Sequence, residues 1–193
     1  MSSLTGTLQS ALDRYEADDN LGVLLDTVRD IARGSDIDLL IAAAEPLRER
    51  PEIAIPVYEH VVAQRPTDAR ALVVLANAYW LTGRGPDVVG ELSERARKVD
   101  PQNRGAWHLW ALSEGDIRKR VARWQTVAAQ FPDDQLARAA LADNAAGLAG
   151  QEHDPLALDL AVKTYESLWA ETTSPTQRRA LEQTLETLKG WKL

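Results

Sequence analysis

The stretch from Ala69 to Pro101, ARALVVLANAYWLTGRGPDVVGELSERARKVDP, decides the fold of this chain. Its first half places large, large, small and aromatic residues at helical spacing: Leu72, Leu75, Ala76 and Tyr79. A small residue on such a face lets a second helix approach closely, while the large ones fill the space around the crossing. The stretch therefore predicts two antiparallel helices joined by a turn at Gly83.

Proline closes similar stretches along the chain, at Pro66, Pro101 and Pro132, which lie 35 and then 31 residues apart. Intervals of this size are typical of helical repeats that stack into a solenoid. Weaker copies of the motif begin at Ile41-Ala42, at Trp107-x-x-Trp110-Ala111 and at Leu141-Ala142-x-x-Ala145. Together these units resemble the tetratricopeptide repeat, a pair of helices of about 34 residues.

The resemblance implies an all-α fold, an α-α superhelix in which antiparallel helix pairs form a short right-handed solenoid. We expect one domain over residues 1–193. It comprises a degenerate N-terminal pair, four repeat units, and a capping helix with a tail: 4–34, then 35–68, 69–103, 104–133 and 134–175, then 176–193. The capping helix is expected because an array must cover its last apolar face.

Several local features refine this expectation. Side-chain oxygens are predicted to cap helices at five positions, some followed by Pro at the first helical residue: Asp68, Asp87, Asp116, Asp154 and Ser174. Pro46 and Pro56 fall inside predicted helices, where Pro bends or ends the helix. An inserted loop is predicted from Gly150 to Pro155. The repeat unit of residues 35–68 departs from the motif, since Asp38 and Glu45 stand where large residues are expected.

Composition excludes several functional classes. Cys is absent, which removes disulfides and thiolate sites, and the three His residues lie in different units, so we expect no metal site and no cofactor. Acidic and basic residues are mixed, with a net charge of −7, which argues against nucleic acid. No signal peptide or long apolar segment is found, so a cytoplasmic protein away from membranes is expected. No catalytic motif is present, and we expect no enzyme.

Tetratricopeptide proteins usually bind peptides or other proteins in a concave groove, which the first helix of each pair lines. By helical phase, the resemblance implies six partner-binding residues: Val73, Asn77, Trp80, His108, Leu112 and Asp143. Groove positions such as Leu39, Ala43 and Leu109 lack Lys, so a clamp for a terminal carboxylate is not supported. Trp107, Trp110 and Trp124 fall on core positions of the motif, whereas Trp80 does not.

The leading hypothesis is a non-enzymatic adaptor or scaffold that binds a protein or peptide of unknown identity in this groove. Self-association is the alternative, with the groove or one end of the array docking a second copy into a homo-oligomer. An enzyme or a small-molecule sensor is a third hypothesis. It requires an enclosed pocket in which polar residues such as His108, Glu114 and Asp143 converge.

Overall fold

The computed structural model describes residues 3–192, which form eleven α-helices and one short 3-10 helix without any β-strand. The α-helices are α1 Leu4–Asp18, α2 Leu21–Arg33, α3 Ile37–Ala44, α4 Pro51–Gln64, α5 Ala69–Leu81, α6 Pro86–Val99, α7 Arg104–Leu112, α8 Ile117–Gln130, α9 Gln135–Glu152, α10 Pro155–Glu171 and α11 Pro175–Lys189. The connections are short, as in other arrays of antiparallel helices. The predicted all-α class is confirmed.

Most helices begin where a side-chain oxygen accepts hydrogen bonds from the first free amides. The predicted caps Asp68, Asp116, Asp154 and Ser174 all do so. The cap predicted at Asp87 is wrong. Gly85 precedes α6 with a φ of +98°, Pro86 is the first helical residue, and Asp87 lies in the first turn. Proline suits that first position because its fixed φ is already helical.

The first of two compact units spans Met1–Leu109. Within it α1 packs against α2 and α3, α2 and α3 both pack against α4, and α5 lies between α4 and α6. Large side chains with no exposed surface fill the core: Leu8, Val28, Leu40, Ile53, Val57, Leu72 and Val89. Ala54, Ala76 and Ala96 are equally buried, which lets neighbouring helices approach closely.

The second compact unit spans Trp110–Leu193. Here α9 packs between α8 and α10, and α11 packs against α10. Trp124, only 2% exposed, and Val127 anchor α8, while Leu185 and Leu188 are the buried residues of α11. The predicted capping helix is thus present as α11. The prediction that all 193 residues form one domain, with the repeat boundaries given above, stays a prediction.

The register predicted for the first helix of residues 35–68 is wrong by two residues. Pro46 lies in the 3-10 helix Glu45–Leu47, so α3 ends at Ala44. Ala42, predicted to be the small buried residue, is exposed. The buried set is found 32 residues before Leu72, Leu75, Ala76 and Tyr79, in the same order: Leu40, Ala43, Ala44 and Leu47. This unit therefore keeps the spacing of the motif, with Ala43 in place of a large residue and Leu47, on the 3-10 turn, in place of the aromatic one.

The two acidic residues that interrupted the motif form ion pairs on the surface. Asp38 binds Arg65 at 2.7 Å, and Glu45 binds Arg70 at 2.7 Å. The pKa of the Asp38 carboxyl lies below its ordinary value because Arg65 donates a hydrogen bond to it. These charges therefore connect helices from the outside and take no part in the core.

The loop predicted from Gly150 to Pro155 is also wrong. α9 continues to Glu152, and only His153 and Asp154 separate it from α10. His153 ends α9 in the left-handed region with a φ of 52°, and the carboxylate of Asp154 accepts hydrogen bonds from two amides of α10. Trp191 packs over Gly150, where an added Cβ would lie 3.4 Å from the indole.

Pro56 does not end its helix, because α4 runs without a break from Pro51 to Gln64. Among the tryptophans, Trp124 is buried as predicted, and Trp80 is 40% exposed. Trp107 and Trp110 are only half-buried. The guanidinium of Arg97 covers the ring of Trp107 at 4.1 Å, and that of Arg123 covers the ring of Trp110 at 4.8 Å.

Candidate partner-binding face

Val73, Asn77 and Trp80 lie on one face of α5, because spacings of four and three residues return to the same side of a helix. Val73 is half-buried, while Asn77 and Trp80 are exposed. The buried residues of α5 lie on the other side of the helix: Ala71, Leu72, Leu75, Ala76, Ala78 and Tyr79. The side-chain amide of Asn77 forms no hydrogen bond within residues 3–192. Its donor and acceptor groups are therefore open to a ligand.

A cavity of about 260 Å³ adjoins this face, lined by Val73, Val74 and Asn77 of α5. Arg48 and Glu49, from the segment between α3 and α4, form the remaining wall. The apolar side chains of Val73 and Val74 therefore line the cavity together with the amide of Asn77, the guanidinium of Arg48 and the carboxylate of Glu49. Pockets that combine apolar surface with a few placed polar groups are typical ligand sites.

In the corrected register, Arg48 falls at a position equivalent to the candidate face of α5. With the offset of 32 residues, Ile41, Glu45 and Arg48 correspond to Val73, Asn77 and Trp80. The side chain of Arg48 binds Glu45 one helical turn before it. Sequence reasoning missed Arg48 because it placed the motif two residues too early. The spacing of Leu40, Ala43, Ala44 and Leu47 is the signal that would have found it, whereas Glu49 corresponds to Leu81, which the motif does not assign to the groove.

Two contacts fix α5 against its neighbours in the first unit. The hydroxyl of Tyr79 donates a hydrogen bond to Glu59 of α4 at 2.7 Å. Burial, that hydrogen bond and the charge of Glu59 raise the pKa of Tyr79 to about 12. On α7, a Cβ added at Gly105 would lie 3.1 Å from a methyl group of Val73. Glycine at this position therefore permits the close approach of α7 to α5.

The remaining predicted residues divide between the two units. His108 is half-buried on α7 in the first unit, and Leu112 is half-buried at the end of α7 in the second. Asp143 lies on α9, where its carboxylate accepts a hydrogen bond from the hydroxyl of Tyr165 on α10. Burial and this acceptor raise the pKa of Tyr165. The structure brings Val73 and Asn77 together beside Arg48, and a groove through all six residues stays a prediction.

The segment Glu152-His153-Asp154 connects α9 to α10. Arg118 of α8 binds Asp154 at 2.9 Å and Glu152 at 2.5 Å. The amide of Ala157 and the guanidinium of Arg118 lower the pKa of Asp154 below its ordinary value. Within the described part of the chain, no group of three or more His, Asp or Glu residues is arranged to hold a metal ion. No helix among the described residues is long and apolar enough to cross a membrane.

Comparison with known proteins agrees with this architecture. The protein MamA has a similar structure, with a TM-score of 0.60 and 13% identity over 90% of this chain and 98% of that one. A thermophilic tetratricopeptide (TPR) protein of Thermus thermophilus is also similar, with a TM-score of 0.55 and 17% identity over 96% of this chain and 98% of that one. The chain has a tetratricopeptide-repeat-like fold.

A second structure of MamA gives the same TM-score of 0.60 at 14% identity, over 80% of this chain and 92% of that one. No protein-family model matches the chain, and no curated protein matches it in sequence. The likeness therefore concerns the helical solenoid fold, and function has to be argued from the side chains of this chain.

Proposed function

We propose that this protein is a non-catalytic adaptor that binds a protein or peptide partner on the face formed by Val73, Asn77 and Trp80. One observation carries the proposal: an amide without a hydrogen-bond partner among residues 3–192 and a 40% exposed Trp share one helix face beside a cavity. Trp is enriched at the centres of protein interfaces. An Asn side chain offers a donor and an acceptor to a peptide backbone.

The walls of the cavity suggest how the partner lies. Val73 and Val74 provide apolar contact, and Asn77 stands at the rim of the same cavity. The volume of about 260 Å³ admits a side chain or two, which favours a peptide segment that anchors one apolar residue. Arg48 and Glu49 then face the polar flanks of that segment.

The test is affinity capture with the full chain from its source, followed by mass spectrometry of the captured proteins. We expect the double variant Asn77→Ala/Trp80→Ala to weaken binding of the captured partner by at least about tenfold, because a Trp at an interface centre contributes about 2 kcal/mol or more. Helical content by circular dichroism should not change, since both side chains are exposed.

The matched control is Val88→Ala/Glu91→Ala on α6, which removes one exposed apolar and one exposed polar side chain away from the face. The control should bind the partner as the unmodified chain does. Equal binding by the control and by the Asn77/Trp80 variant would overturn the proposal. A dimer in analytical ultracentrifugation that dissociates in the Asn77/Trp80 variant would instead assign this face to self-association.

A further inference from the structure

A second apolar groove lies between α10 and α11, in the unit that does not contain the α5 face. Its floor consists of Trp169, Ala170 and Leu185, and the cavity above it has a volume of about 450 Å³. Two antiparallel helices with such a furrow between them form the surface on which a third helix packs in a solenoid. The groove therefore has the shape that fits a helix.

The rim of this groove is acidic. Glu166, Glu182 and Glu186 line it together with one cation, Lys189. Lys189 binds Glu166 at 2.6 Å, whereas Glu182 accepts a hydrogen bond from the indole N–H of Trp169 at 3.1 Å. Glu182 and Glu186 form no ion pair within residues 3–192. Two carboxylates at the rim therefore remain open to cations.

Arg178, a further cation of α11, is already engaged. The guanidinium of Arg178 lies 4.9 Å from the ring centre of Trp169 and donates a hydrogen bond to the carbonyl oxygen of Thr172 at 3.1 Å. These two contacts hold Arg178 beside the turn before α11. Within residues 3–192, Arg178 therefore forms no salt bridge with Glu182 or Glu186.

We propose that a basic amphipathic helix of another protein docks in the α10–α11 groove. Its apolar face contacts Trp169, Ala170 and Leu185, and its Lys or Arg residues pair with Glu182 and Glu186. Helices that lay an apolar face in a groove are a common mode of recognition, and opposite charge sets orientation and rate. The site is separate from the α5 face, and neither proposal depends on the other.

Charge selects this occupant over others. Nucleic acid and anionic lipid are repelled by the carboxylates at the rim. A second copy of the chain is disfavoured because each copy carries a net charge of −7. A basic helix can bind through apolar contact with the floor and through salt bridges to the two carboxylates, Glu182 and Glu186.

The probe is a synthetic peptide of about 16 residues with Leu at helical spacing on one face and Lys on both flanks, since shorter helices are marginal in water. Its binding to the full chain is measured by fluorescence anisotropy. A peptide with the same Leu residues and Glu in place of Lys is the comparison. We expect the Lys peptide to bind at least about tenfold more tightly at low salt, with the difference shrinking as salt screens the charges.

Two pairs of variants locate the binding. Ala170→Arg places a bulky cation on the floor, and Ala180→Arg places the same residue at an exposed position of α11 outside the cavity. Glu186→Lys reverses a rim charge, and Glu91→Lys makes the same change on α6, outside the groove. We expect Ala170→Arg and Glu186→Lys to weaken the Lys peptide by about tenfold or more, and their controls to bind it normally.

No binding of the Lys peptide up to about 1 mM overturns the proposal. Equal binding of both peptides, or unchanged binding by Ala170→Arg, overturns it as well. The Asn77→Ala/Trp80→Ala chain should bind the Lys peptide as the unmodified chain does. Failure of the α5 proposal and failure of this one are therefore distinguishable.

Discussion

Tyr58 and Tyr79 belong to neighbouring helices of the first unit but differ in what their hydroxyl groups contact. The hydroxyl of Tyr79 donates to Glu59, whereas that of Tyr58 is buried without a hydrogen-bond partner among residues 3–192. Burial, followed by the charge of Glu45, raises the pKa of Tyr58. A buried polar group without a partner reduces stability, and a hydrogen bond to a carboxylate increases it.

Replacing each tyrosine with phenylalanine should therefore affect stability differently. Tyr79→Phe removes the hydrogen bond to Glu59 and is expected to lower the free energy of unfolding by about 1–2 kcal/mol. Tyr58→Phe removes only the unpaired hydroxyl and should leave that free energy unchanged or raise it. Urea unfolding followed by circular dichroism measures both variants. A larger loss for Tyr58→Phe than for Tyr79→Phe would contradict this account.

At the scale of elements, arginine side chains connect the long helices of the second unit. Arg138 of α9 binds the carboxylate of Glu171 on α10 through two nitrogens, at 2.6 and 2.5 Å. This geometry is the strongest form of such a pair. Because Arg138 donates to it, the carboxyl of Glu171 has a pKa below its ordinary value of 4.5.

The lowered pKa predicts a pH-dependent contribution to stability. Glu171 protonates more readily in the unfolded chain, so its contribution is complete above the unfolded pKa and is lost as pH falls through the folded pKa. Glu171→Gln should therefore be less stable than the unmodified chain at pH 7. That difference should shrink between about pH 5 and pH 3 in urea unfolding.

The control for this prediction is Glu91→Gln, since Glu91 is exposed and forms no ion pair within the described residues. Its stability relative to the unmodified chain should change little over the same pH range. The difference in the free energy of unfolding between Glu171→Gln and the unmodified chain could instead stay constant down to about pH 3. That result would show that the Arg138–Glu171 pair contributes no pH-dependent stability.

The α3 segment shows where prediction of elements from sequence reached its limit. In α5, Leu72, Leu75 and Ala76 lie on a regular helix, so spacing alone placed them in the core correctly. In the preceding unit the buried set of α3 lies 32 residues before that of α5, and Pro46 ends α3 in a 3-10 turn, so the expected spacing of about 34 residues gave the wrong register. The closing Pro66 still marked the end of the unit, but the match at Ile41-Ala42 was two residues early.

At the scale of the whole molecule, the helical class and most of the helix breaks followed from the sequence because caps, prolines and apolar spacing are local signals. Contacts between helices distant in sequence did not follow from it. The bond from Tyr165 to Asp143 and the approach of Gly105 to Val73 depend on packing that no local pattern encodes. The exposure of Trp80 was predicted, since it lies outside the core positions of the motif.

The central claim is that a partner contacts the α5 face, and site-specific photo-crosslinking tests it most directly. A photo-reactive amino acid is introduced in place of Asn77, of Trp80 or, as the control, of Glu91 on α6. Each chain is irradiated with the captured partner, and the adducts are mapped by mass spectrometry. We predict adducts from positions 77 and 80 and none from position 91. An adduct from position 91 without any from 77 or 80 would contradict the claim.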